Sequence, residues 1–136
     1  MGSSIDGDML TYLKSVAGVT SYVGAGASAR IYWTAKPDSM PTMPYIVYYT
    51  VAVDGTRLYL ADVTPQVLFQ FSVFHTHPQN GLDLAGNVFD ALDGYHGTPG
   101  AKKIHYISAM GPRVIKDPDF DNVVQYIVDA TVEYSK

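Results

Sequence analysis

The sequence predicts an α+β fold, with a mainly antiparallel sheet of four to five strands and two helices packed on one of its faces. Three observations predict it. Apolar residues recur at helical spacing in two places, near residues 5–17 and 81–93. Several other segments are rich in β-branched and aromatic residues, two of them alternating at the strand period of two. The strands also follow one another in runs, so the helices stand apart from the sheet instead of crossing over between parallel strands. The expected order is α-β-β-β-α-β-β, in one domain spanning residues 1–136 without repeat or linker.

The first helix rests on Ile5, Met9, Leu13 and Val16, with Leu10 beside them. Ser4 or Asp6 can cap its start, and Gly18 can close it in a left-handed conformation. Val19 to Val23 adds a short turn, and Gly24-Ala25-Gly26-Ala27-Ser28-Ala29 reads as a flexible loop. Arg30 to Thr34 reads as a short strand, followed by a loop with prolines at 37, 41 and 44. Tyr45 to Val53 is a strand with two apolar faces: Tyr45, Val47, Tyr49, Val51 and Val53 on one, Ile46, Tyr48 and Ala52 on the other. Such a strand is expected to be covered on both sides, by a helix on one and a neighbouring subunit on the other.

Residues 54–65 form a long excursion carrying Leu58, Tyr59 and Leu60. The next strand alternates Val67, Phe69, Phe71 and Val73 with Gln66, Leu68, Gln70 and Ser72, so one face is buried. The second helix has Asn80 as a cap, Asp83 three residues on, and Leu82, Ala85, Phe89 and Leu92 as its apolar stripe. Gly94 stands where a C-terminal glycine belongs. Residues 103–110 make a fourth strand, and Gly111 to Asp121 a loop. The last strand, 122–134, sets Val124, Tyr126, Val128, Ala130, Val132 and Tyr134 against Gln125, Asp129, Thr131 and Glu133.

Composition narrows the function. The chain has 136 residues, 47% of them hydrophobic and only 16% charged, below the roughly 25% charged of ordinary soluble domains. Eleven tyrosines suit either strands or subunit interfaces. A net charge of −4 and a pI of about 5.3 provide no basic footprint for gripping phosphates. The absence of cysteine excludes a disulfide framework and thiolate chemistry. No signal peptide or membrane span is expected, and Asp6 spoils the myristoylation pattern that Gly2 begins.

Few constellations suggest chemistry. His75 and His77, two apart on a strand, point to one side and could share a metal with Asp83, His96 or His105. None of those spacings is diagnostic, and polar residues are ordinary where a strand ends before Pro78. Asp117, Asp119 and Asp121 alternate like calcium-loop carboxylates. Asn122 then replaces the required glycine and Val128 the bidentate glutamate, so a solvated acidic turn is the better reading. The glycines at 24 and 26 are followed by no phosphate-binding lysine, and there is no Gly-x-Ser-x-Gly elbow. No catalytic residue, metal or cofactor is therefore expected.

Taken together, these features resemble the family of small siphophage tail-completion or tail-terminator proteins. The carrying features are the helix with a short tail at Leu10–Gly24, the Arg30-Ile31-Tyr32 strand, and a proline-bearing loop feeding Pro44-Tyr45-Ile46-Val47-Tyr48-Tyr49. A Phe/Val strand then runs into a helix ending Ala91-Leu92-Asp93-Gly94, and a hairpin closes with a long Val/Tyr strand. The resemblance is carried by order and spacing, and the chain departs from the family at 54–65 and at the His75–His77 pair. It implies a structural virion protein without enzymatic activity, assembled in the host cytoplasm. Such a protein forms a homo-oligomeric ring, a hexamer, that caps the head-proximal end of the tail tube and meets the head connector. Its expected partners are further copies of itself, the major tail tube protein and a head-completion or connector protein; DNA only passes through the lumen, and no membrane is involved. Candidate interface residues are Tyr45, Tyr48, Tyr49, Leu58, Tyr59 and Leu60, and candidate lumen-facing carboxylates are Asp117, Asp119 and Asp121. The alternatives are a head-completion or adaptor protein of the neck, and a metal-dependent hydrolase using His75 and His77.

Overall fold

A computed structural model of the chain describes residues 5–24, 26, 29–33, 43–54, 66–116 and 123–135. Its N-terminal segment holds two helices where the periodicity predicts one: α1 (Ile5–Lys14) and α2 (Ala17–Val23). Asp6 and Asp8 lie in the first turn of α1 and Lys14 in its last, matching the helix dipole. The chain breaks at Val16, which is extended (φ −94°, ψ 113°). Helical geometry explains the break. An unbroken helix would turn Val19 and Val23 roughly 80–120° away from Leu13, whereas all three are fully buried here. Gly18 accordingly sits inside α2. The left-handed glycine is Gly24 (φ 87°), whose N–H donates to Thr20 O at 2.8 Å.

Five strands form one sheet: β1 (Ile31–Trp33), β2 (Tyr45–Asp54), β3 (Gln66–His75), β4 (Ile104–Lys116) and β5 (Val124–Tyr134), in the spatial order β1-β2-β3-β5-β4. All pairs are antiparallel except β1 with β2, so the sheet is mixed. A third helix, α3 (Pro78–Leu92), follows β3. It begins three residues earlier than the sequence suggests, with Pro78 in its first turn and His77, not Asn80, as the N-cap. The stripe moves with it: Leu84, Ala85, Val88 and Leu92 are buried, while Leu82 is 42% exposed.

The helices cover one face of the sheet. Their apolar stripes meet Ile46 and Tyr48 of β2, Phe69, Phe71 and Val73 of β3, Val128, Ala130 and Val132 of β5, and Ile107 of β4 in one buried cluster. Polar pins fix the helices over it. Asn87 Nδ2 donates to Gly18 O at 2.9 Å, tying α3 to α2, and the Tyr12 hydroxyl donates to Ala91 O, tying α1 to α3. Arg30 donates from Nη2 to Tyr22 O (2.8 Å) and from Nε to Pro44 O (2.9 Å), joining the end of α2 to the entry of β2. Among the described residues no buried side-chain nitrogen or oxygen lacks a partner.

The longest departure from the predicted elements is β4, which continues to Lys116 through the stretch read as a loop. Its register shifts between Ile104 and Tyr106 and again between Met110 and Arg113. The second bulge absorbs Gly111 (φ 114°) and Pro112. A Cβ on Gly111 would come within 2.7 Å of Ile127 O, so glycine lets the strand hug its partner. Pro112 is tolerated because β4 is an edge strand.

Gly81 makes a second close approach. A Cβ there would sit 2.9 Å from Tyr126 Cε2 and 3.1 Å from His75 Cβ, and the Tyr126 ring cannot swing aside because its hydroxyl is held on Pro78 O at 2.9 Å. Gly81→Ala should therefore destabilise the fold by about 1–2 kcal/mol, although alanine is the better helix former. A chemical-denaturation midpoint equal to or above wild type would contradict this packing.

Candidate assembly surface

The face of the sheet opposite the helices carries no helix among the described residues. Its composition follows from the strand registers, row by row across β2, β3, β5 and β4. Tyr45 stands beside Phe74, Gln125 and Ile115; Val47 beside Ser72, Ile127 and Arg113; Tyr49 beside Gln70, Asp129 and Met110. Leu68, Thr131 and Ser108 make the next row, and Gln66, Glu133 and Tyr106 the last.

This face has apolar margins and a mostly polar middle, in which Ile127 and Leu68 are apolar. The β1–β2 margin bears a ring cluster, with Tyr45 stacked on Phe74 at 4.9 Å and Tyr32 6.2 Å from Tyr45. Burial, and then Tyr32, raises the pKa of Tyr45 above its ordinary value. Val51, 49% exposed, lies at the β2 register shift. The β4 margin bears Tyr106, Ile115 and Met110, the last 71% exposed. Between the margins Gln125 Nε2 donates to Ser72 Oγ at 3.1 Å, and Asp129 of β5 lies 3.5 Å from Arg113 on the β4 margin. The β4 edge itself is broken by its bulges and by Pro112, which discourages edge-to-edge strand addition and leaves the faces for contacts.

The expected interface residues divide accordingly. Tyr45 and Tyr49 lie on the helix-free face, Tyr45 buried and Tyr49 half-buried. Tyr48 does not belong with them. It is 1% exposed, on the helix side, 5.4 Å from the stacked ring of Phe71 and 5.2 Å from Trp33. Its hydroxyl donates to Asp6 O at 2.8 Å, and burial followed by the Asp6 charge raises its pKa strongly. Tyr48 is a core residue whose bulk is buried within the chain itself. Leu58, Tyr59 and Leu60 lie outside the described residues, as do Asp117, Asp119 and Asp121. The β4 margin escaped the sequence reading because Gly111-Pro112 ends the predicted strand; the apolar Val114-Ile115 pair beyond it was the available signal.

The two histidines stand near each other, with ring centroids 6.2 Å apart, but only His75 is on the strand, His77 being the N-cap of α3, and the Nδ1 of each serves the backbone. His75 Nδ1 accepts from Thr76 N (2.9 Å) and His77 N (3.3 Å), and His77 Nδ1 accepts from Asn80 N (3.3 Å). Of the proposed third ligands, Asp83 accepts from Gln79 Nε2 at 3.0 Å, and His105 Nε2 lies 2.6 Å from Ser135 Oγ. Among the described residues no three His, Asp or Glu side chains gather where they could hold a metal ion. No helix among them is long and apolar enough to cross a membrane.

Fold and surface together define an α+β chain with one helix-covered and one helix-free sheet face. Neither the known protein-family models nor the curated proteins include a match to this sequence. Solved structures do contain a likeness of fold. The chain is similar to one from the "Virion of native gene transfer agent (GTA) particle", with a TM-score of 0.67 and 13% sequence identity. The similarity covers 93% of this chain and 91% of that one.

Proposed function

We propose that this chain is a structural subunit of a phage-like virion, acting as a ring-forming tail terminator. The observation that carries the reading is the end-to-end fold likeness to a virion chain, which leaves few residues on either side unmatched. The terminator role rests on the sequence resemblance to tail-completion proteins. In this reading the subunits close a ring, a hexamer, on the head-proximal end of the tail tube, stop its growth and provide the surface that meets the head connector. The work is done by shape and surface, so no residue is assigned a catalytic role.

A ring needs heterologous contacts, in which one patch on each subunit meets a different patch on the next. The helix-free face offers such a pair, since its apolar margins lie at opposite ends of the sheet order. The β2 margin of one copy would meet the β4 margin of its neighbour, with Leu58, Tyr59 and Leu60 extending the β2 side. The acidic balance of the chain suits a lumen that DNA traverses without adhering, with Asp117, Asp119 and Asp121 as the candidate lining.

The test is native mass, first of the protein alone and then with tail-tube subunits. Rings of the isolated chain, or rings that appear only on tubes, are the expected result. A stable monomer that ignores tubes but binds tailless heads would replace the terminator with a head-completion adaptor. A monomer that binds neither would remove both readings.

A further inference from the structure

The corner between β3 and α3 directs three backbone N–H groups onto two imidazole nitrogens. An N–H group can only donate, so His75 Nδ1 and His77 Nδ1 must both present lone pairs and both rings must be neutral. Protonation at Nδ1 would turn each acceptor into a donor facing another donor. We infer that His75 and His77 form an acid-sensitive latch, which closes the strand-to-helix corner at neutral pH and releases the first turn of α3 when the rings take up protons.

The surroundings of His75 favour its neutral ring. His75 is half-buried, and desolvation, then the neighbouring His77, lowers its pKa below the ordinary 6.5. Among the described residues, few other titratable groups flank the corner. Tyr126 from β5 is engaged with Pro78 O, Tyr45 from β2 stacks on Phe74, and Asp83, held by Gln79, is the one carboxylate in the first two turns of α3. None of these donates to or accepts from either imidazole, so no described carboxylate is paired with an imidazolium that forms there.

The sign of the pH effect follows. Between the lowered folded value and 6.5, the unfolded chain binds more protons at His75 than the folded one. The His75 contribution is therefore complete above about pH 6.5 and is lost as the pH falls through the folded value. Past the corner, α3 stays on the sheet through Leu84, Ala85 and Val88, which confines the release to its first turn.

Asparagine at both positions supplies a side-chain acceptor at the turn and at the N-cap but does not titrate. The experiment compares melting temperatures of wild type and His75→Asn/His77→Asn between about pH 7.5 and pH 5.5, the interval in which histidine titrates. Wild type should lose about 3–6 °C more than the double variant. Amide resonances of Thr76, His77 and Asn80 in wild type should move as the pH falls, those of Thr76 and His77, which face His75 Nδ1, at the His75 midpoint below 6.5. An equal loss in both proteins would overturn the latch. So would a His75 midpoint at or above 6.5 with those three amides unmoved, a reading that stands even if the double variant fails to fold.

Discussion

Mixing Val51→Asp chains with Met110→Asp chains is expected to yield dimers of the two variants and nothing larger, under conditions where wild type closes rings. Each variant alone should remain monomeric. In the proposed heterologous ring every contact joins the β2 margin of one copy to the β4 margin of the next. An aspartate at either margin must be desolvated without a partner, which costs several kcal/mol per contact. That penalty recurs around the ring, so one substitution suffices. In the mixture a single good contact survives, between the intact β4 margin of the Val51→Asp chain and the intact β2 margin of the Met110→Asp chain. The dimer then presents a charged margin at each free end and cannot grow.

Both positions are solvent-exposed in the subunit, 49% and 71%. The monomers should therefore keep their stability to within about 0.5 kcal/mol. Native mass spectrometry reads the result directly. Rings in either single variant would show that its margin is not a contact. Dimers in a single variant alone would point to a two-fold interface in place of a ring.

The substitution sites show where the sequence was legible. β3 and β5 could be read because alternation with one buried face is an unambiguous period-two signal, and their registers pair Gln66–His75 with Val124–Glu133 without a shift. β2 was readable as a strand but not as a surface. With both faces apolar, composition cannot say which side the helices take, and Tyr48 went to the interface though it belongs to the core. The register shift between Thr50 and Ala52 compounds this, because it sets Val53 opposite Val67 of the helix-side row. Alternation alone had placed Val53 with Tyr45. Bulges, the break at Val16 and the proline in β4 answer to tertiary packing, and a periodicity window cannot register a one-residue change of phase. The corner histidines were visible as a pair, but their task depends on backbone N–H directions that exist only after folding.

A second large effect centres on a carboxylate in the first turn of α1. Asp8 is 1% exposed, and its two oxygens accept from Ala101 N (3.3 Å) and Lys102 N (2.9 Å), clamping the segment before β4 onto α1. Gly100 makes the approach possible, because a Cβ there would fall 2.1 Å from Asp8 Oδ1. Asp8→Ala should cost about 2–3 kcal/mol, since it removes a charge-assisted acceptor from two backbone donors. Gly100→Ala should cost about 3 kcal/mol, lowering the melting temperature by roughly 10 °C for a chain of this length, because either the carboxylate or the segment must move. The two losses should not add. With the carboxylate gone the new methyl has room, so Gly100→Ala in an Asp8→Ala background should cost about 1 kcal/mol, a coupling of roughly 2 kcal/mol. Strict additivity across the four proteins would mean that the clamp does not hold the two segments together. It would also leave the burial of Asp8, and the demand for glycine at position 100, without a common cause.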